Sequence, residues 1–126
     1  MEATCYEIRT NIQVLEELGI NTKELRITGG ASRNSNWNQI AADICKIPVI
    51  KGLVEEATAL GAAILAGVGA GIYKNIEIAA EEMVIKDEQK EPIKKNSAVY
   101  DKYYAIYNQL YESMKQKNLY EKLADI

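Results

Sequence analysis

Histidine is absent from this 126-residue chain, and cysteine occurs only twice, at Cys5 and Cys45. Without a second cysteine pair or any imidazole there is neither zinc-ligand spacing nor a disulfide framework, and both thiols lie on apolar helical faces where burial is expected. A basic excess is missing as well, since the formal charge is −3. That balance provides no electrostatic footprint for nucleic acid beyond a local patch. No basic and apolar leader opens the sequence, and its most apolar stretch, Ala57 to Ile72, is shorter than a membrane span and rich in glycine and alanine. One globular cytoplasmic domain is therefore expected, with no membrane and no nucleic-acid partner. The carboxylate pair, nucleophile–base set or metal cluster that an enzyme built wholly from these residues would need is not visible either.

What is present is a sharp change of pattern between Arg26 and Asp43. Leu25 and Ile27 are spaced by two, as on a strand, and the run stops at Gly29-Gly30, where the backbone can take angles that a Cβ resists. Ser32, Asn34 and Ser35 are N-cap residue types just ahead of Trp37, Ile40, Ala41 and Ile44 at helical spacing. The stretch reads as strand, tight loop, helix, with unpaired amides at the helix start opening towards the glycines. Such a corner either merely turns a strand into a helix or cradles the phosphates or base of a nucleotide. It is neither a P-loop nor a dinucleotide fingerprint.

Around this corner the pattern is mostly helical. Cys5, Ile8, Ile12, Leu15 and Leu18 predict an amphipathic helix ended by Gly19, with Glu7, Glu16 and Glu17 on its wet face. Pro48 to Lys51 predicts a second short strand, broken by Gly52. A helix is expected from Glu55 to Tyr73, with Glu55 and Glu56 complementing its dipole and its small residues, Gly67 and Gly69 among them, permitting close packing against a sheet or nucleotide. Ile76 to Met83 predicts a short helix. The polar run Lys86 to Lys95 reads as an exposed charged connector that prevents any regular buried element. From Asn96 or Ser97 a long helix is expected with Val99, Tyr103, Ile106, Tyr107, Leu110 and Met114 on one apolar face, widened by Tyr100, Tyr104 and Tyr111, and a final turn or helix closes the chain. The organisation expected is thus 1–85 as an α/β part, 86–95 as the connector and 96–126 as C-terminal helices.

Thr28-Gly-Gly-Ala-Ser32, then Trp37, Asn38-Gln39 and Ala42-Asp43, then Glu56-Ala-Thr-Ala-Leu-Gly-Ala-Ala63 and Ala66-Gly-Val-Gly-Ala-Gly-Ile-Tyr73, resemble the C-terminal part of the FGGY carbohydrate kinases, most of all the xylulokinase and related ketose-kinase branch. The two blocks stand in family order, and a weaker resemblance reaches the last helices. The resemblance implies an α/β fold, part of a ribonuclease-H-like domain of the actin and hexokinase type, with short parallel strands packed by helices. It implies an ATP-dependent kinase of a sugar hydroxyl, using ATP or ADP with Mg2+. By the same resemblance the nucleotide lies beside Gly29, Gly30 and Ala31, with Ser32, Asn34, Ser35 and Asn38 as polar contacts. The catalytic aspartate, the metal ligands and most of the sugar site belong to family segments upstream of the glycine loop, and neither Asp43 nor Asp87 stands in the catalytic motif. The chain is accordingly expected to be inactive alone, the alternative being a kinase-derived module that senses nucleotide or binds a partner without catalysis. Since only two strands are recognisable, the first should leave an open edge, and a homodimer or association with the rest of the kinase is expected.

Overall fold

The computed structural model describes residues 1–125. In chain order it contains α1 (Glu2–Glu17), β1 (Leu25–Ile27), a 3-10 turn (Gly30–Arg33), α2 (Ser35–Cys45), β2 (Val49–Gly52), α3 (Ala57–Gly69), α4 (Ile76–Met83), β3 (Lys86–Lys90), α5 (Lys94–Gln116) and α6 (Leu119–Ala124). α1 ends as its sequence requires: Gly19 takes φ +82° while its N–H bonds the Glu16 carbonyl, and the Ile20 N–H reaches back to Leu15. This paired closure satisfies carbonyls that the helix end would otherwise leave bare.

The sheet has the order β1-β2-β3. β1 and β2 are parallel, with Leu25 opposite Val49, so a crossover must join them, and α2 supplies it. Pro48 precedes β2 and lends its carbonyl to the Leu25 N–H at 2.8 Å, a role that needs no N–H of its own. On one face of the sheet, Cys5 and Tyr6 of α1, Ala41, Ala42 and Ile44 of α2, and Tyr104 of α5 form the core with Ile27 and Val49. Burial raises the Cys5 and Cys45 thiols to about 11 and about 12, which keeps both protonated and inert.

The other face is thinly covered. α3 and α4 pack on each other and leave an apolar cleft of about 200 Å³ between Ile50, Val54, Leu60, Ile64, Val84 and Ile85. α3 begins at Ala57 rather than at Glu55, so the two acidic residues lie ahead of its first turn. Among the α3 glycines, Gly67 is sterically required, because a Cβ there would come within 2.8 Å of the Tyr73 ring. Gly61 and Gly69 meet nothing within 4 Å, so the close packing expected of the whole small-residue stripe is confined to one residue and to a neighbour in the same chain.

Two expectations are corrected. The charged run Lys86 to Lys95 is not a mere connector, because its first half is β3, antiparallel to β2 with Val49 opposite Lys90. An edge strand tolerates charge on both faces, and here the charges are used: Lys51 Nζ meets Asp87 at 2.9 Å, and Glu88 reaches the start of α2. In α5 only the side of the expected face that carries Tyr100, Tyr104 and Tyr107 turns inward. Tyr104 is buried, and Tyr100 and Tyr107 pack against the core, whereas Val99, Tyr103, Ile106 and Leu110 are 47–59% exposed. Polar partners at the rim of the core decide this choice. The Tyr104 hydroxyl bonds Gln13 Oε1 at 2.7 Å and lies 2.9 Å from Thr10 Oγ1, while the Arg9 guanidinium stands 4.2 Å over its ring. Tyr107 bonds the Glu7 carboxylate. An aliphatic stripe has no use for those groups on α1.

Candidate functional site

The corner after β1 is built by Gly29. With φ +77° and ψ −170° it occupies a region nearly closed to residues bearing a Cβ, which turns the chain at once out of the sheet. Its N–H bonds the Glu55 carbonyl at 3.2 Å, tying the corner to the loop before α3. Arg33 reinforces that tie with an ion pair to Glu55 at 2.6 Å. The Gly29 carbonyl accepts both the N–H of Ser32 (3.1 Å) and its Oγ (2.7 Å), closing the 3-10 turn. Ideal Cβ atoms at Gly29 and Gly30 meet nothing within 4 Å. The space outside the turn is therefore open. Among the described residues the N–H groups of Gly30 and Ala31 have no hydrogen-bond acceptor, while those of Ser32 and Asn34 are taken by the carbonyls of Gly29 and Ala31.

The start of α2 is closed by its own cap. Asn34 Oδ1 accepts the N–H groups of Asn36 and Trp37, each at 3.1 Å, so the open amides expected at this helix start lie one turn earlier, at Gly30 and Ala31. The seven residues singled out from the sequence thus fall into three groups. Gly29, Gly30 and Ala31 form the turn. Asn34 and Ser35 stand exposed on its rim. Ser32 and Asn38 are each 1% exposed and face inward, with Asn38 Nδ2 bonding the Ser32 carbonyl at 2.9 Å. Their side chains hold the turn from beneath and present no outward contact.

Sequence reasoning missed Glu88, the residue that gathers the rim. Its carboxylate accepts Ser35 Oγ at 2.9 Å and Asn38 Nδ2 at 3.2 Å, and pairs with Lys90 Nζ at 2.9 Å. Lys90 first, then the Ser35 and Asn38 donors, lower its pKa to about 2. Its charge-assisted contacts are thus complete above the ordinary carboxylate range and fade only as pH falls towards 2. The one available signal was Lys86, Glu88 and Lys90, of alternating charge at a spacing of two, which a strand places on one face.

Asp43, which adjoins the corner in sequence, has a structural task. It is 1% exposed, and its Oδ1 accepts Gln39 Nε2 (2.9 Å) and the Ile93 N–H (2.7 Å), while Oδ2 accepts Asn96 Nδ2 at 2.8 Å. This pins the start of α5 and explains why the helix begins ahead of Asn96. Among the described residues no group of three His, Cys, Asp or Glu side chains converges on a point where a metal ion would sit. The groups left open at the turn are N–H donors, whereas a magnesium ion takes oxygen ligands.

Comparison with known proteins gives the family and the fold. Residues 1–70 match the FGGY family of carbohydrate kinases, C-terminal domain, and the chain belongs to that family. It is 32% identical over 116 residues to the xylulose kinase of Staphylococcus epidermidis (strain RP62A), an alignment covering 92% of this chain and 23% of the relative. With the glycerol kinase of Citrifermentans bemidjiense the identity is 43% over 82 residues, covering 64% of this chain and 17% of the relative. The crystal structure of xylulose kinase from Rhodospirillum rubrum superposes with a TM-score of 0.77 at 26% identity, over 91% of this chain and 23% of that one. The fold is thus that of the actin- and hexokinase-like ATPases found in FGGY kinases, and the chain spans less than a quarter of the length of the curated relatives it matches. The family match stops before β3, so Glu88 lies outside it.

Proposed function

We propose that this chain is a nucleotide-binding portion of an ATP-dependent carbohydrate kinase, holding ATP or ADP against the turn Gly29 to Ala31. The observation that carries this reading is the pair of amides at Gly30 and Ala31, exposed residues whose N–H groups have no acceptor among the described residues, at a corner where Gly29 turns the chain and a Cβ at Gly29 or Gly30 would meet nothing within 4 Å. Backbone N–H groups so placed favour a negatively charged phosphate, and a turn without side chains admits it closely. Asn34 and Ser35 stand beside this turn as contacts for the base. ATP supplies the transferable phosphoryl group; this chain's residues bind and orient its nucleotide end. A magnesium ion would take its ligands from residues outside this chain. The relatives' names pair the family with more than one acceptor, xylulose and glycerol, and the acceptor proposed here is correspondingly a sugar or polyol hydroxyl.

A second reading keeps the corner but drops the chemistry: a kinase-derived module that senses nucleotide. Its support is that the carboxylates near the corner are already committed, Asp43 to the α5 cap, Asp87 to Lys51, Glu88 to Lys90 and Glu55 to Arg33.

The two glycines separate binding from folding. Gly30 has ordinary backbone angles and open space, so Gly30→Val is expected to leave unfolding free energy within about 0.5 kcal/mol and to weaken ADP binding roughly tenfold or more by blocking approach to the turn. Gly29→Val is expected to cost about 1–3 kcal/mol of stability as well, because of its angles. Calorimetric titration with ADP and urea unfolding on both variants make the comparison. Equal ADP affinity in Gly30→Val and the parent chain would remove the turn from the binding site.

Self-association, or docking on the remainder of a kinase, belongs to the same proposal. β1 is an edge strand, and the Leu25 to Thr28 main chain is free on one side. Beside it lies the half-covered apolar cleft, and a second apolar surface runs along the outer face of α5. Exposed edges and patches of this kind recruit partners. Light scattering across a concentration series is expected to show a dimer forming; a strictly monomeric, cooperatively folded chain at the highest concentration would refute it.

A further inference from the structure

The start of α2 carries a fixed hydrogen-bond polarity. Glu88 is an ionised carboxylate and can only accept, so in its 2.9 Å contact with Ser35 the hydroxyl must be the donor, and the outward side of Ser35 Oγ is left with lone pairs. On the preceding residue the opposite holds. Asn34 Oδ1 is committed to the Asn36 and Trp37 amides, which fixes the side-chain amide's orientation and leaves Nδ2 as a donor. Beneath them Asn38 is held the same way: its Nδ2 bonds both the Ser32 carbonyl and Glu88, and its Oδ1, fully buried, has no partner among the described residues. Acceptor and donor thus stand on consecutive exposed residues, one step beyond the open turn.

We propose that Glu88 is a specificity-determining positioning residue which, by holding the Ser35 proton, makes the rim Asn34–Ser35 complementary to a purine bearing an amino donor beside a ring-nitrogen acceptor. Adenine has that edge. Guanine presents a carbonyl acceptor beside an N–H donor, which sets acceptor against acceptor and donor against donor on the same rim. This inference rests on the nucleotide reading above and adds to it a residue on β3, outside the region matched by the family. Glu88 touches no nucleotide in this account; it acts through Ser35.

The test is the ratio of ADP to GDP affinity, measured by calorimetric titration of the whole chain. The parent chain is expected to favour ADP by about tenfold or more. In Glu88→Ala the acceptor is gone and the Ser35 hydroxyl proton is free to turn outward, so the ratio should fall to about one or two. Ser35→Ala should lower it to a similar extent without disturbing β3, and the double variant should add nothing further, as expected for residues acting as a unit. A merely structural role for Glu88 would weaken ADP and GDP together and leave their ratio intact. That result, or an undiminished ratio in Ser35→Ala should Glu88→Ala fail to fold, overturns the inference. Absence of binding of either nucleotide to the parent chain at millimolar concentration overturns the nucleotide reading itself, and this inference with it.

Discussion

Replacing Asp43 with alanine is expected to lower the unfolding free energy by roughly 3 kcal/mol, a large part of the 5–15 kcal/mol typical of a domain. The side chain is 1% exposed, and three donors converge on it: Gln39 Nε2, the Ile93 N–H and Asn96 Nδ2. Gln39 has a second partner in the Glu91 carbonyl at 2.9 Å, so the loss falls mainly on Ile93 and Asn96, which open α5. Leaving buried donors unpaired costs about 1–3 kcal/mol each, more than the bonds themselves add. Asp43→Asn keeps one acceptor oxygen and should lose about half as much. Urea unfolding followed by circular dichroism measures both; an alanine variant within about 0.5 kcal/mol of the parent would mean that α5 starts without this anchor.

The chain as it stands is expected to transfer no phosphate from ATP to xylulose, gluconate or glycerol above background, a deficit of many orders of magnitude relative to a complete kinase. Phosphoryl transfer requires a positioned carboxylate or base at the acceptor hydroxyl and groups that neutralise charge on the moving phosphoryl. Asp43 is enclosed by its three donors, and Asp101 is held between Arg9 and Lys46 at 2.8 Å each, which lowers its pKa and leaves it fixed as a structural charge. A coupled assay on purified protein decides the matter. Turnover that survives removal of host kinases would show that the catalytic set is present here and that the assignment of these carboxylates to structural roles is mistaken.

Much of the α/β organisation was legible because its signals are local. Gly19 closes α1, Pro48 introduces β2, and Leu25 and Ile27 alternate into Gly29-Gly30, each by a mechanism confined to a few residues. β3 was illegible because an edge strand held by β2 needs no apolar alternation of its own; its evidence lay on Lys51, Ser35 and Asn38, distant in sequence. Which side of the wide α5 face turns inward was hidden for a related reason. Two overlapping stripes at helical spacing compete, and Thr10, Gln13 and Glu7 on α1 select the tyrosines. At the corner, residue types could not tell inward from outward: Ser32 and Asn38 carry the same chemistry as Ser35 and Asn34 and are buried. Glycine conformations were only half readable, since the sequence shows two adjacent glycines while the structure demands the unusual angles at Gly29 alone.

Nucleotide contact with the glycine turn is most directly tested by titrating isotopically labelled protein with ADP and following the backbone amide resonances. The account predicts the largest shifts at Gly30 and Ala31, whose N–H groups have no partner among the described residues, with smaller ones at Asn34 and Ser35. Shifts confined to the tyrosine-rich helix α5, with Gly29 to Ser35 unmoved at saturating ADP, would contradict it.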